Sequence, residues 1–200
     1  MSRVVRALLL LGVAMPVAAA QPVSPGSEPA VIESAAGDQR SVANGVRTFA
    51  GRVRSVSDGD TIVVEDAQGY RGKVRLFGID APERASGARY GQPYAQRSRK
   101  NLSDLVYRKS VRVAWREHDN YGRMIGHVWL EDIDVALRQV CDGYAWVFRR
   151  YADQMTARES KAYDECEQTA RNQRRGLWRD SKPVPPWEWR HSARSKELEP

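Results

Sequence analysis

The sequence predicts an α+β fold: a five-stranded OB-type β-barrel with about three α-helices. Three observations point there. Short β-branched runs separated by Gly/Asp turns fill residues 49–79 and 111–130, which reads as five short strands. A stretch with apolar residues at helical spacing interrupts them after the third strand. Two more helical stretches follow the fifth. Five short strands with a helix after the third is the order of such a barrel.

The elements follow in chain order. Residues 1–20 read as a signal peptide, with Arg3 and Arg6 ahead of an apolar run and Ala18-Ala19-Ala20 offering small residues for cleavage. The run is shorter than the roughly 20 residues of a spanning helix. The expected product is therefore exported, periplasmic or extracellular, with no membrane anchor. Residues 21–47, rich in Pro, Ser, Ala and Gly, read as a disordered linker. The folded domain is expected over 48–180.

Its first strand covers 49–55. Asp58-Gly59-Asp60 is a turn before the second, Thr61-Ile62-Val63-Val64. Gln68-Gly69 is the next turn. The third strand covers 73–79 and ends at Ala81-Pro82, because proline has no N–H for the ladder. Leu102, Leu105 and Val106 fall at i, i+3 and i+4 and predict an amphipathic helix over about 90–109. Strands at 111–115 and 124–130 flank the turn Asp119-Asn120-Tyr121-Gly122. A short helix over 134–141 ends before Gly143, and a longer charged one over 155–174 ends before Gly176. Residues 181–200 read as a Pro/Trp-rich extended C-terminal tail.

Composition narrows the function. A content of 42% hydrophobic and 28% charged residues in 200 excludes a disordered chain. Two cysteines exclude a disulfide-framework mini-protein and a four-cysteine zinc site. The histidines His118, His127 and His191 show no zinc spacing. The net charge of +7 falls to +5 once residues 1–20, with two arginines and no acid, are removed. Such a surplus permits an anionic partner without demanding one. In an oxidising compartment Cys141 and Cys166 can pair as a disulfide. The alternative is two separate buried thiols.

The residues that could carry chemistry gather at strand ends. Asp58 and Asp60 flank a turn, Asp80 and Glu83 follow the third strand, Arg75 lies within it, and Arg123 opens the last strand. Each alone is an ordinary turn acid or strand cation. Together they suit phosphodiester cleavage. Carboxylates ligate a hard cation, guanidinium forks neutralise phosphate charge, and a carboxylate can position or deprotonate water.

Asp58-Gly59-Asp60-Thr61, then Val74-Arg75-Leu76-Phe77-Gly78-Ile79-Asp80-Ala81-Pro82-Glu83, then Asp119-Asn120-Tyr121-Gly122-Arg123 resembles the staphylococcal nuclease (thermonuclease) family in order and spacing. The resemblance runs from about 48 to 179 and includes Gly176-Leu177-Trp178. The Pro-Pro-Trp-Glu-Trp-Arg tail looks like exported bacterial members. The resemblance implies a Ca2+-dependent nuclease acting on DNA or RNA and leaving 3′-phosphate ends. It implies Asp60 and Asp80 as carboxylate ligands of Ca2+ and Ala81, where many members have Thr, as a carbonyl ligand. Asp58 is an acid beside them. Glu83 handles the attacking water, as general base or orienting acceptor. Arg75 and Arg123 clamp the phosphate.

Tyr121 matches one substrate tyrosine of the family. The other falls on Arg149, with Tyr151 two residues on, so either of these is expected to touch substrate. A monomer without an obligatory protein partner is expected. The alternative is a non-catalytic nucleic-acid-binding module of the same fold.

Overall fold

The β-branched runs form a closed barrel in the computed structural model, which describes residues 41–43, 45–87 and 90–197. The expected signal peptide and residues 21–40 of the expected linker lie outside the described residues. The sheet begins earlier than residue 48. β1 (Ser41–Ala43) and β2 (Val46–Val56) form a hairpin whose turn includes Gly45 at φ 72°, a left-handed conformation suited to glycine.

β2 pairs antiparallel with both β3 (Thr61–Glu65) and β6 (Ser110–His118). β3 pairs with β4 (Arg71–Leu76), β6 pairs with β7 (Met124–Leu130), and β4 runs parallel to β7. That circuit closes the five-stranded barrel. Register shifts at Val53/Ser55 and at Trp115/Glu117 supply the bends that closure needs. Val53, Ile62, Val64, Val74, Val113 and Val128 are fully buried inside it.

The third strand is shorter than expected. Gly78 adopts φ 78° and breaks it, while Phe77 N–H bonds the Gly126 carbonyl of the adjacent strand β7 at 2.9 Å. Ile79–Asp80 therefore forms a separate strand, β5, which pairs with β9 (Trp146–Val147). A two-residue strand β8 (Ile133–Asp134) extends the edge of β7.

α1 (Ala95–Val106) starts after Pro93, later than the apolar period suggests, because the residue before a proline avoids the helical region. It buries Leu102 and Val106 against the barrel. α2 (Val135–Cys141) is capped by the Asp134 carboxylate, which accepts from Leu137 N–H at 3.0 Å. α3 (Ala157–Asn172) opens with a Thr156/Glu159 capping box. The Tyr163 hydroxyl donates to Asp134 at 3.1 Å and so ties α3 to the start of α2. At the other end of α2, Cys141 and Cys166 form a disulfide. The sequence left pairing or separate thiols open, and the structure decides for pairing.

The expected extended tail is instead a helix, α4 (Pro186–Glu197). Proline disrupts a helix interior, but at the first turn its missing N–H has no partner to lose and its φ is already helical. Trp189 N–H bonds the Pro185 carbonyl at 3.0 Å. Trp187 packs on Trp146 and Phe148, each ring pair at 5.8 Å.

Two stability outcomes follow from this packing. Replacing both Cys141 and Cys166 by Ser should lower unfolding free energy by about 2–4 kcal/mol in urea titrations, because the cross-link no longer restricts the unfolded chain. His127 is packed between Phe77 and Trp129, with ring centroids at 4.5 and 5.5 Å. Burial holds its imidazole below the ordinary value of 6.5 despite Asp134 and Glu159 nearby. The unfolded chain then takes up the proton more readily, so this stabilisation is present above pH 6.5 and is lost as pH falls. His127→Gln should flatten that part of the urea midpoint's pH dependence.

Candidate active site

The predicted acids and Arg75 meet at one end of the barrel. Thr61 and Arg75 are direct partners across β3 and β4, so the turn before β3 lies over the Arg75 side chain. Arg75 Nη1 donates to Asp60 Oδ2 at 2.6 Å and to the Ile79 carbonyl at 3.2 Å, and Nη2 donates to Asp80 Oδ1 at 2.8 Å. All three side chains are buried, Asp80 at 1% exposure. A guanidinium has five N–H donors, and these contacts use three. Among the described residues no other acceptor bonds this fork, so two of its donors are unused.

The loop is held from behind. Gln139, fully buried on α2, donates to the Gly59 carbonyl at 2.8 Å and accepts from Asn101 on α1 at 2.6 Å. Gly59 itself presses on α1, where an added Cβ would fall 1.8 Å from Ser98 Oγ and 2.7 Å from Ala81 Cβ. The Asp60 Oδ1 accepts from the Thr61 hydroxyl at 2.8 Å and its Oδ2 from the Ala81 amide at 3.1 Å.

These contacts set the charges. Burial pushes the Asp60 carboxyl up, but Arg75, Thr61 and the Ala81 amide outweigh it and hold it below its ordinary value. Asp58 is pushed up to about 7, by burial first and then by the charge on Asp60. Burial also raises Asp80, against two neighbouring guanidinium groups.

The remaining predicted residues divide. Arg123 Nε is paired with Asp119 at 2.7 Å, and its Nη1 lies 3.4 Å from Thr61 Oγ1, one residue from Asp60. Tyr121 is exposed beside Arg123, whose guanidinium carbon is 5.5 Å from the ring centre. Tyr151 packs on Phe77 and Phe148, and Arg75 lies 5.9 Å from the Phe148 ring centre. Arg149 points to α3 and pairs with Asp164 at 2.7 Å. Glu83 is half-exposed, with its backbone bonded to Gln92 in both directions.

The donor set is all oxygen, from two buried carboxylates in adjoining turns, which suits a hard cation and not a soft one. Among the described residues no group of three His, Cys, Asp or Glu side chains is placed to hold a metal ion. Further ligands would come from backbone and water, as such cations accept.

Comparison with known proteins accords with this geometry. The family model described as staphylococcal nuclease homologue matches residues 73–180. An "uncharacterized endonuclease" of Escherichia coli O157:H7 is 40% identical over 142 residues, covering 70% of this chain and 84% of that protein. A "micrococcal nuclease" of Shigella flexneri is 38% identical over 159 residues, covering 74% and 83%. The chain belongs to the staphylococcal nuclease family. It is a nuclease, a hydrolase of nucleic acid.

Two residues at this nuclease's site, Arg190 and Gln139, were not anticipated. Arg190, on α4, donates Nη2 to Asp80 Oδ2 at 2.7 Å and Nη1 to Asp80 Oδ1 at 3.2 Å and to Glu83 Oε1 at 2.5 Å. The only sequence signal is its place at the end of Pro-Pro-Trp-Glu-Trp-Arg, a segment read as tail. Gln139 was missed for a similar reason, since a glutamine within a helix usually faces water.

The tight seat of Gly59 generates a prediction. Gly59→Ala must displace Ser98 or the loop, and should cost about 1–3 kcal/mol of stability. Urea titration should find that loss, with nuclease activity reduced in the folded protein because Asp60 moves with the loop.

Proposed function

We propose that this nuclease is an exported, Ca2+-dependent enzyme that hydrolyses the phosphodiester bonds of DNA or RNA to leave 3′-phosphate ends. The buried fork of Arg75 between Asp60 and Asp80 is the observation that carries the reading. Asp60, Asp80 and the Ala81 carbonyl would hold the cation, with Asp58 beside them. When bound there, Ca2+ would supply Lewis-acid polarisation and charge neutralisation of the phosphate.

The chain's own groups do the rest. Arg75 is oriented by two carboxylates and meets the phosphate with its remaining N–H donors, which favours a trigonal-bipyramidal oxyanion over the ground state. Arg123, fixed by Asp119, approaches from the neighbouring turn. Glu83 lies within reach of solvent, where it accepts a hydrogen bond from the attacking water and orients it or takes its proton. Tyr121 and Tyr151 offer ring faces to bases or sugar. Arg149 is engaged with α3, so Tyr151 is the better placed of the two substrate candidates.

The disulfide supports export, because such bonds persist in oxidising compartments. Among the described residues no helix is long and apolar enough to cross a membrane. We read the enzyme as a monomer without an obligatory partner, since closure within one chain pairs every barrel strand on both sides.

Purified protein should digest heat-denatured DNA or RNA with Ca2+ present and stop with a chelator, and end-group analysis should find 3′-phosphates. Activity indifferent to chelation would overturn the metal assignment. Glu83→Gln should slow turnover by about 10²–10⁴-fold with an unchanged melting temperature.

A further inference from the structure

The C-terminal helix puts a cation into the carboxylate site. Arg190 reaches Asp80 across 110 residues of sequence and grips both of its oxygens, while also bonding Glu83. With Arg75 and the Ala81 amide, it fills two of the four carboxylate oxygens of Asp60 and Asp80. Asp80 Oδ1 accepts from Arg75 and Arg190, and Asp60 Oδ2 accepts from Arg75 and the Ala81 amide. A carboxylate oxygen has about two lone-pair sites. Each of these two oxygens is therefore fully used by protein donors.

The position is built and not a chance surface pair. Asp80 is 1% exposed while Arg190 is 40% exposed, so Arg190 reaches from the surface onto a buried carboxylate. α4 is seated by Trp187 on Trp146 and Phe148, and by the Val184 carbonyl, which accepts from Gln92 Nε2 at 2.6 Å. Gln92 in turn bonds the Glu83 backbone, so the seat of α4 and the segment bearing Glu83 share one hydrogen-bond chain.

Arg190 and a divalent cation on Asp80 would repel each other and compete for its lone pairs. Arg75 is fixed within β4 and also spans Asp60, so Arg190 is the one of the two guanidinium groups that can leave. We propose that α4 is a latch in which Arg190 stands in for the divalent cation, so that cation binding and seating of Arg190 exclude each other. This rests on the proposed assignment of Asp60 and Asp80 as cation ligands. The latch neutralises the acids while no cation is bound. It also engages Glu83 Oε1, on the group proposed to handle water, until the cation displaces it. Linkage makes the effect reciprocal: whatever unseats α4 tightens the cation, and the cation unseats α4.

Calorimetric titration of the full chain with CaCl2 tests this without reference to activity. If Arg190 is seated in about nine-tenths of cation-free molecules, its loss should tighten Ca2+ about tenfold. Arg190→Ala should show that tighter Kd, and Arg190→Gln, which retains most of the stem, should tighten alongside it. In the unmutated protein, Ca2+ should also shift the emission of the tryptophans packed around Trp187, in step with the calorimetric saturation. An unchanged or weaker Kd in both variants would overturn the latch and leave the cation site standing. Failure of Ca2+ to bind any of the three proteins would overturn both readings.

Discussion

Buried carboxylates survive as charges only when a fixed partner compensates their lost hydration. In this protein that partner is Arg75, whose fork spans Asp60 and Asp80. The rest of the end of the barrel depends on that bridge. It requires β3 and β4 in the register that sets Thr61 against Arg75, since a slip by one residue would turn the guanidinium to the other face. It also requires the break at Gly78, which turns Ile79 and Asp80 back over the Arg75 side chain.

The helices serve the same bridge from outside the barrel. α1 and α2 do more than cover apolar surface: Ser98 leaves room for no side chain at position 59, and Gln139 holds that residue's carbonyl. A fully buried glutamine is costly unless its donors and acceptor are satisfied. Here it bonds Gly59, Ser98 and Asn101. The disulfide then joins α2 to α3 and makes the platform behind the acidic loop one cross-linked unit.

The site holds an excess of acids, with Asp58 raised by burial and then by its neighbour Asp60, and Asp80 raised by burial. Such a cluster calls for positive charge. Arg75 supplies part of it permanently from the barrel. Arg190 supplies a further part from α4, which is seated by Trp187 on Trp146 and Phe148 and by the Gln92–Val184 hydrogen bond. A fixed guanidinium and a detachable one on the same carboxylate is an arrangement that lets one cation be exchanged for another without rebuilding the fold.

Local patterns determined much of this protein. The β-branched runs, the turn acids and the i, i+3, i+4 spacing of Leu102, Leu105 and Val106 place the strands, α1 and the acidic loop, because burial of one face follows from period alone. Asp60, Arg75, Asp80 and Arg123 were legible as acids and arginines gathered at strand ends, while their roles came from the resemblance of the three motifs to the staphylococcal nuclease family. Tertiary structure decided the rest. Whether Cys141 and Cys166 meet, whether Gln139 faces inward, and whether the proline-rich tail coils into a helix all depend on surfaces supplied from elsewhere in the chain. Arg190 is the extreme case: its partner lies 110 residues away, and no local period carries information about a contact that only the closed fold creates.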